Sequence, residues 1–135
     1  MNGHTVRKFR LSDKFISQYE DKKVPWGPVG YVTYKRTYAR RLDERTPGAV
    51  GTEEWFQTCR RVIEGMFDMQ KQHVSHLGLE WNDAKAQKTA KEAYDRLFDL
   101  KWTPPGRGLW MMGTKFVEER TAAGLFNCAF RSTKD

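Results

Sequence analysis

A chain of 135 residues with a formal charge of +7 is about one domain long and gives no reason to expect a second independent core. Leu, Val, Ile and Phe make up 26 residues, or 19%, close to the level at which a charged chain resembles a disordered one. Five Trp, five Tyr and five Met supply the missing bulk, so the composition describes an aromatic-rich globular piece with a thin core, one that leans on another surface for part of its stability.

No run approaches the ~18 uninterrupted apolar residues of a membrane span, and residues 1–12 hold no apolar signal core. A cytoplasmic chain with no membrane contact is expected. Cys59 and Cys128 stand 69 positions apart, which is neither a secreted disulfide framework nor a zinc-ligand pair.

Ser12 has the hydroxyl of an N-cap, Asp13 suits the positive end of a helix, and Phe15, Ile16 and Tyr19 recur at helical spacing. A short helix over 12–20 follows. Val24-Pro-Trp-Gly-Pro breaks it, and with two prolines and two glycines between residues 25 and 30 the chain is expected to resume as an extended or mixed segment over 31–38. Here lies the densest basic tract: Lys35, Arg36, Arg40 and Arg41 alternate with Tyr31, Tyr34 and Tyr38, and no acid intervenes. Such a tract suits a phosphate-rich strand, by counterion release and base stacking. The plainer reading, which the residues favour, is a solvated face with its tyrosines turned inward.

Residues 45–51 form a Pro/Gly loop, after which Thr52, Glu53 and Glu54 offer the acceptor and negative charge of a helix start. Trp55, Phe56, Cys59, Val62, Ile63 and Met66 then trace one stripe of an amphipathic helix running to about His73. Asn82 can cap a second long helix, 82–101, in which Ala86, Ala90, Ala93, Leu97 and Leu100 repeat at steps of four, three, four and three. Two such helices pack antiparallel on their stripes, and the alanines permit close approach. Thr103-Pro-Pro-Gly-Arg-Gly ends the second helix. Residues 109–112 are apolar, Thr114 can cap a short turn through Arg120, and 125–130 alternates as a strand.

Few of these residues suggest chemistry. Cys59 sits on the apolar stripe and reads as a small buried hydrophobe. His73 and His76 lack a third ligand at a useful spacing, and Glu118 and Glu119 are adjacent and so diverge on a helix. Cys128 shares one strand face with Phe126 and Phe130, while Asn127 faces the other way. Spacing alone makes Cys128 a core cysteine, since nothing near it in sequence would lower its pKa.

Four ordered blocks carry a resemblance. They are Trp26-Gly-Pro-Val-Gly-Tyr-Val-Thr-Tyr-Lys-Arg-Thr-Tyr-Ala-Arg40, then Trp55 with Arg60-Arg-Val-Ile-Glu-Gly65, then Thr103-Pro-Pro-Gly-Arg-Gly-Leu-Trp-Met-Met-Gly-Thr114, then Leu125-Phe-Asn-Cys-Ala-Phe130. Together they resemble the amino-terminal end of adenosylcobalamin-dependent (class II) ribonucleotide reductases, most of all the monomeric branch that reduces ribonucleoside triphosphates. Gly108 departs from that pattern, in which a polar side chain stands between the Arg and the Leu.

The resemblance implies a mainly α amino-terminal helical region, residues 1–102, followed over 103–135 by the first strand of an α/β ten-stranded reductase barrel. It implies that Cys128 is one of two thiols that reduce the ribose, that it ends as half of a disulfide, and that Asn127 lines the substrate pocket. In the family the thiyl cysteine that abstracts the 3′-hydrogen, the carboxylate that takes the 3′-hydroxyl proton, the second reducing thiol and the adenosylcobalamin site belong to later segments. The expected partners are therefore that remaining catalytic segment, a ribonucleoside triphosphate and a thioredoxin-type reductant. On the same grounds the chain is expected to be a fragment, a split-gene product or an extein half, inactive alone. The competing expectation is a non-catalytic helical module that binds nucleic acid through residues 31–41.

Overall fold

The computed structural model describes residues 7–44, 46–104 and 112–113. Four helices follow one another, α1 (Asp13–Ser17), α2 (Pro28–Thr37), α3 (Trp55–His76) and α4 (Asp83–Phe98), with a 3₁₀ turn at Leu42–Glu44. Among the described residues the regular structure is helical, and the only β pairing is an isolated antiparallel bridge between Arg41 and Thr52. The strand expected at 125–130, the turn from Thr114 to Arg120, Asn127 and Cys128 lie outside the described residues. No helix among those described is long and apolar enough to cross a membrane.

Helix ends follow their local signals in three places. The Ser12 side chain accepts from the Phe15 backbone N–H at 3.2 Å, and that of Asn82 accepts from Lys85 N–H at 3.1 Å, each occupying an otherwise orphaned donor. Beyond α3, Gly78 adopts φ +75°, and Leu79 N–H returns to the Val74 carbonyl at 3.1 Å. Only a residue without a Cβ takes that left-handed turn cheaply, so the helix stops there, one turn later than the periodicity predicts.

Two expectations fail. Residues 31–38, expected as extended or mixed, belong to α2. Pro28 occupies the first turn, where its missing N–H costs nothing and its fixed φ favours the helix, and Tyr34 is drawn inward to stack on Trp26 at 5.2 Å and meet Trp55 at 5.3 Å. Val29 and Val32 remain outside, 79% and 50% exposed, so no apolar stripe announces the helix. Thr52 does not start α3 either. It pairs with Arg41 instead, while Glu54 becomes the N-cap and its N–H donates to Gln57 Oε1 at 2.8 Å.

The core lies between α3 and α4. Trp55, Cys59, Val62 and Ile63 share it with Ala86, Ala90, Tyr94, Leu97 and Phe98. Two polar tethers fix the pair, since Tyr94 O–H donates to the Phe56 carbonyl at 2.7 Å and Trp55 Nε1–H to that of Phe98 at 3.0 Å. A strap from the N-terminal segment closes over the pair: Phe9 and Leu11 donate their backbone N–H groups to Asp68 at 3.0 Å and Glu64 at 2.9 Å, carboxylates one turn apart on α3. Gln87 of α4 donates to the Arg10 carbonyl between them at 2.9 Å. Both apolar strap side chains are thereby buried.

Burial pushes the Tyr34 and Tyr94 phenols well above their ordinary value near 10. The unfolded chain loses these protons near pH 10 while the folded protein keeps them. The stability they contribute is therefore whole below pH 10 and declines above it, by up to about 1.4 kcal/mol per pH unit for each phenol. Circular dichroism followed against pH should show cooperative alkaline unfolding, and Tyr94→Phe should make it shallower. An unchanged profile in that variant would contradict the assignment.

Candidate functional site

The residues that gather polar chemistry are on the first three turns of α3 and the loop before it. Arg61, 1% exposed, donates from Nε to Glu53 Oε2 at 2.8 Å and from Nη2 to Oε1 at 3.1 Å, a two-pronged pair. Its Nη1 donates to the Met112 carbonyl at 2.7 Å. Glu53 Oε1 also accepts from Thr58 Oγ1 at 2.8 Å and from Arg40 N–H at 3.0 Å, and Tyr34 O–H lies 2.5 Å from Thr58 Oγ1. The helix supplies this geometry directly, because Thr58 and Arg61 are three apart and share the face turned toward Glu53.

One turn away a second group forms. Arg60 meets Glu64 at 2.9 Å and Asp13 at 2.8 Å, and it also donates to the Leu11 carbonyl at 2.9 Å. Between the two groups runs a cleft of about 270 Å³ edged by Arg10, Arg41 and Arg60 over Glu53 and Glu64. Each of those charges has a partner of opposite sign, Arg10 with Glu64 at 3.9 Å and Arg41 with Asp43 at 2.5 Å. The cleft is consequently close to neutral.

The basic tract is similarly occupied by its own surroundings. Lys35 Nζ donates to the Glu53 carbonyl at 2.7 Å and pairs with Glu54 at 3.0 Å, Arg40 pairs with Glu44 at 2.9 Å, and Tyr31 O–H donates to Glu54 at 3.1 Å. Tyr34 is buried. Of the two readings of residues 31–41, the contacts favour the solvated face over the phosphate site, but of its tyrosines only Tyr34 is fully turned inward, while Tyr31 stays 39% exposed; Lys35, Arg40 and Arg41 each pair with a carboxylate.

Cys59 is fully buried, and burial raises its thiol well above the usual range, which leaves almost no thiolate for chemistry. A Cys59→Ala variant should cost about 1 kcal/mol of stability, measured by urea unfolding, and the native parent should resist thiol reagents until it unfolds. Rapid labelling of native Cys59 would contradict this. His73 and His76 are exposed near the end of α3, and among the described residues no three His, Cys, Asp or Glu side chains are grouped to hold a metal. What the described residues assemble is a buried polar network built on Glu53, Arg61 and Glu64. Sequence periodicity passes over all three, because charged residues between apolar positions look like a solvated face; the one local hint is that Arg61 and Glu64 flank the buried Val62 and Ile63.

The ribonucleotide reductase alpha domain family matches residues 11–114. A probable adenosylcobalamin-dependent ribonucleoside-triphosphate reductase of Dictyostelium discoideum is 42% identical over 134 residues, which cover 97% of this chain and 17% of that protein. An adenosylcobalamin-dependent ribonucleoside-triphosphate reductase of Euglena gracilis is 38% identical over 95% of the chain and 17% of its own length. A crystal structure of a B-12 dependent (class II) ribonucleotide reductase superposes with a TM-score of 0.69 at 32% identity, over 84% of this chain and 15% of that one. The chain thus spans about a sixth of the length of the relatives it matches.

Proposed function

Because this chain belongs to the ribonucleotide reductase alpha domain family, we propose that it works as the amino-terminal portion of an adenosylcobalamin-dependent ribonucleoside-triphosphate reductase, bringing one reducing thiol, Cys128, to a shared active site. The observation that carries this reading is the match of 97% of the chain, at 42% identity, to a reductase of that description. In the proposed reaction Cys128 and a second thiol from the remaining catalytic segment together give two electrons and two protons. The ribose 2′-carbon gains a hydrogen, its hydroxyl leaves as water, and the two sulfurs end as a disulfide. Asn127, beside the thiol in sequence, contributes to the substrate pocket in this reading. A thioredoxin-type dithiol then restores the pair by exchange.

The cleft between the two polar groups does not fit a corrinoid: it measures about 270 Å³, is bordered by ion-paired side chains and is smaller than a typical cofactor site. In this reading adenosylcobalamin belongs to the remaining segment. The test is a chimera in which this chain replaces the matching segment of the Dictyostelium reductase. With adenosylcobalamin, a dithiol and a ribonucleoside triphosphate it should form deoxynucleotide, whereas the 135-residue chain alone should form none. A folded chimera without product would refute the proposal.

A further inference from the structure

Helix α2 carries its aliphatic residues on the outside. Tyr34 is its one fully buried residue, while Val29 and Val32 are 79% and 50% exposed. With Arg36, also exposed, they stand at i, i+3 and i+7 and so share one face, opposite the side on which Tyr34 meets Trp26 and Trp55. Local sequence gives this helix little support. Its ten residues include a glycine, two valines and two threonines, all poor helix formers, its N-cap Gly27 offers no side-chain acceptor, and no acid stands in its first turn. A helix this short depends on tertiary packing of an apolar face, yet the aliphatic face of α2 is left open to solvent.

Arg36 sets the chemistry of what would cover that face. Lys35, Arg40 and Arg41 each pair with a carboxylate of this chain, whereas Arg36 has no ion pair or hydrogen bond among the described residues. It lies one turn, about 6 Å, beyond Val32 along the helix axis. The complementary surface is therefore an apolar groove with a carboxylate at the end that meets Arg36. A second copy meeting it face to face does not supply that carboxylate, because α2 holds no acid. A phosphate backbone does not match either, since two valines and one cation make no row of positive charge.

We propose that the outer face of α2, with Val29, Val32 and Arg36, is the surface on which the remaining catalytic segment of the reductase seats, through such a groove. The proposal rests on the reductase reading and adds to it the place of contact. In the Dictyostelium reductase the matched segment is 17% of the protein, so most of that chain lies outside it and is the body available to cover α2.

Thiol labelling read by peptide mass spectrometry tests this, because each introduced thiol is resolved from the native cysteines. Val32→Cys is placed in the 135-residue chain and in the chimera described above, with Lys88→Cys, exposed on α4, as the reference in both. The thiol at position 32 should react freely in the chain and at least about tenfold more slowly in the chimera, while the reference holds its rate. Adding Arg36→Glu should return most of the lost reactivity in the chimera, because it sets like charges against each other, and should leave the rate in the 135-residue chain unchanged. Val29→Cys gives an independent reading where Val32→Cys does not fold. Equal labelling of position 32 in chain and chimera would overturn the proposal, as would an equal slowing of the reference. Protection already present in the 135-residue chain would overturn it too, assigning the face to a second copy if dilution removes the protection and to the chain's own residues if it does not. Deoxynucleotide formed by the parent chimera reports separately on the reductase reading. Product beside an open α2 face would sink the surface alone, and a protected face without product would refute the reductase reading while the contact stands.

Discussion

Cys128→Ser in the chimera should abolish multiple turnover, with the rate of deoxynucleotide formation falling by about three orders of magnitude or more. A serine hydroxyl cannot supply electrons by forming a disulfide, so once the remaining thiol stands alone the two-electron reduction has no donor. Binding of nucleotide and adenosylcobalamin, assigned to the remaining segment, should persist. After one turnover of the parent, mass spectrometry should find the Cys128 peptide joined to a cysteine peptide of the remaining segment, and an external dithiol should release it. Parental rates in Cys128→Ser, or a free Cys128 thiol in the oxidised parent, would remove the residue from the mechanism and return it to the core cysteine that spacing alone suggests.

Arg61→Met should destabilise the chain by about 3–5 kcal/mol, because it leaves the Glu53 carboxylate buried without its cation. Glu53 is 4% exposed and keeps only the Thr58 hydroxyl and the Arg40 N–H on its Oε1. Against a total stability of about 5–15 kcal/mol that loss is a large fraction, so the urea midpoint should drop sharply with the slope retained. The double variant Arg61→Met with Glu53→Leu should recover much of it, since neither charge then stays unpaired. The recovery should be incomplete, because the bond to the Met112 carbonyl is not restored. A single variant within about 1 kcal/mol of the parent would show that the pair is dispensable.

Local patterns and long-range pairings divided the molecule between them. The stripes of α3 and α4, the caps at Ser12 and Asn82 and the burial of Cys59 were legible because each depends on residues within a turn or two. Helix α2 was not. Its inward residue, Tyr34, is held by Trp26 and Trp55, and its exposed valines dilute the periodicity that would have marked it. The reductase likeness was legible too, through the order of four blocks along the chain. The residues assigned to chemistry within them, Asn127 and Cys128, lie outside the described structure and stand on that likeness.

What the sequence by itself determined is the helical character of α1, α3 and α4, the core that the two long helices share, and the family. These follow from the spacing of apolar residues, from capping chemistry and from the linear order of motifs, all of which exist before the chain folds. Only the tertiary structure decided that Glu53, Arg61 and Glu64 are internal and that Phe9 and Leu11 form a strap over α3. A charge between apolar neighbours can face water or a partner many residues away, and the difference depends on whether folding delivers that partner. For Arg61 it delivers Glu53 on one side and the Met112 carbonyl on the other, and desolvation of a charge is tolerable only where such partners are already in place.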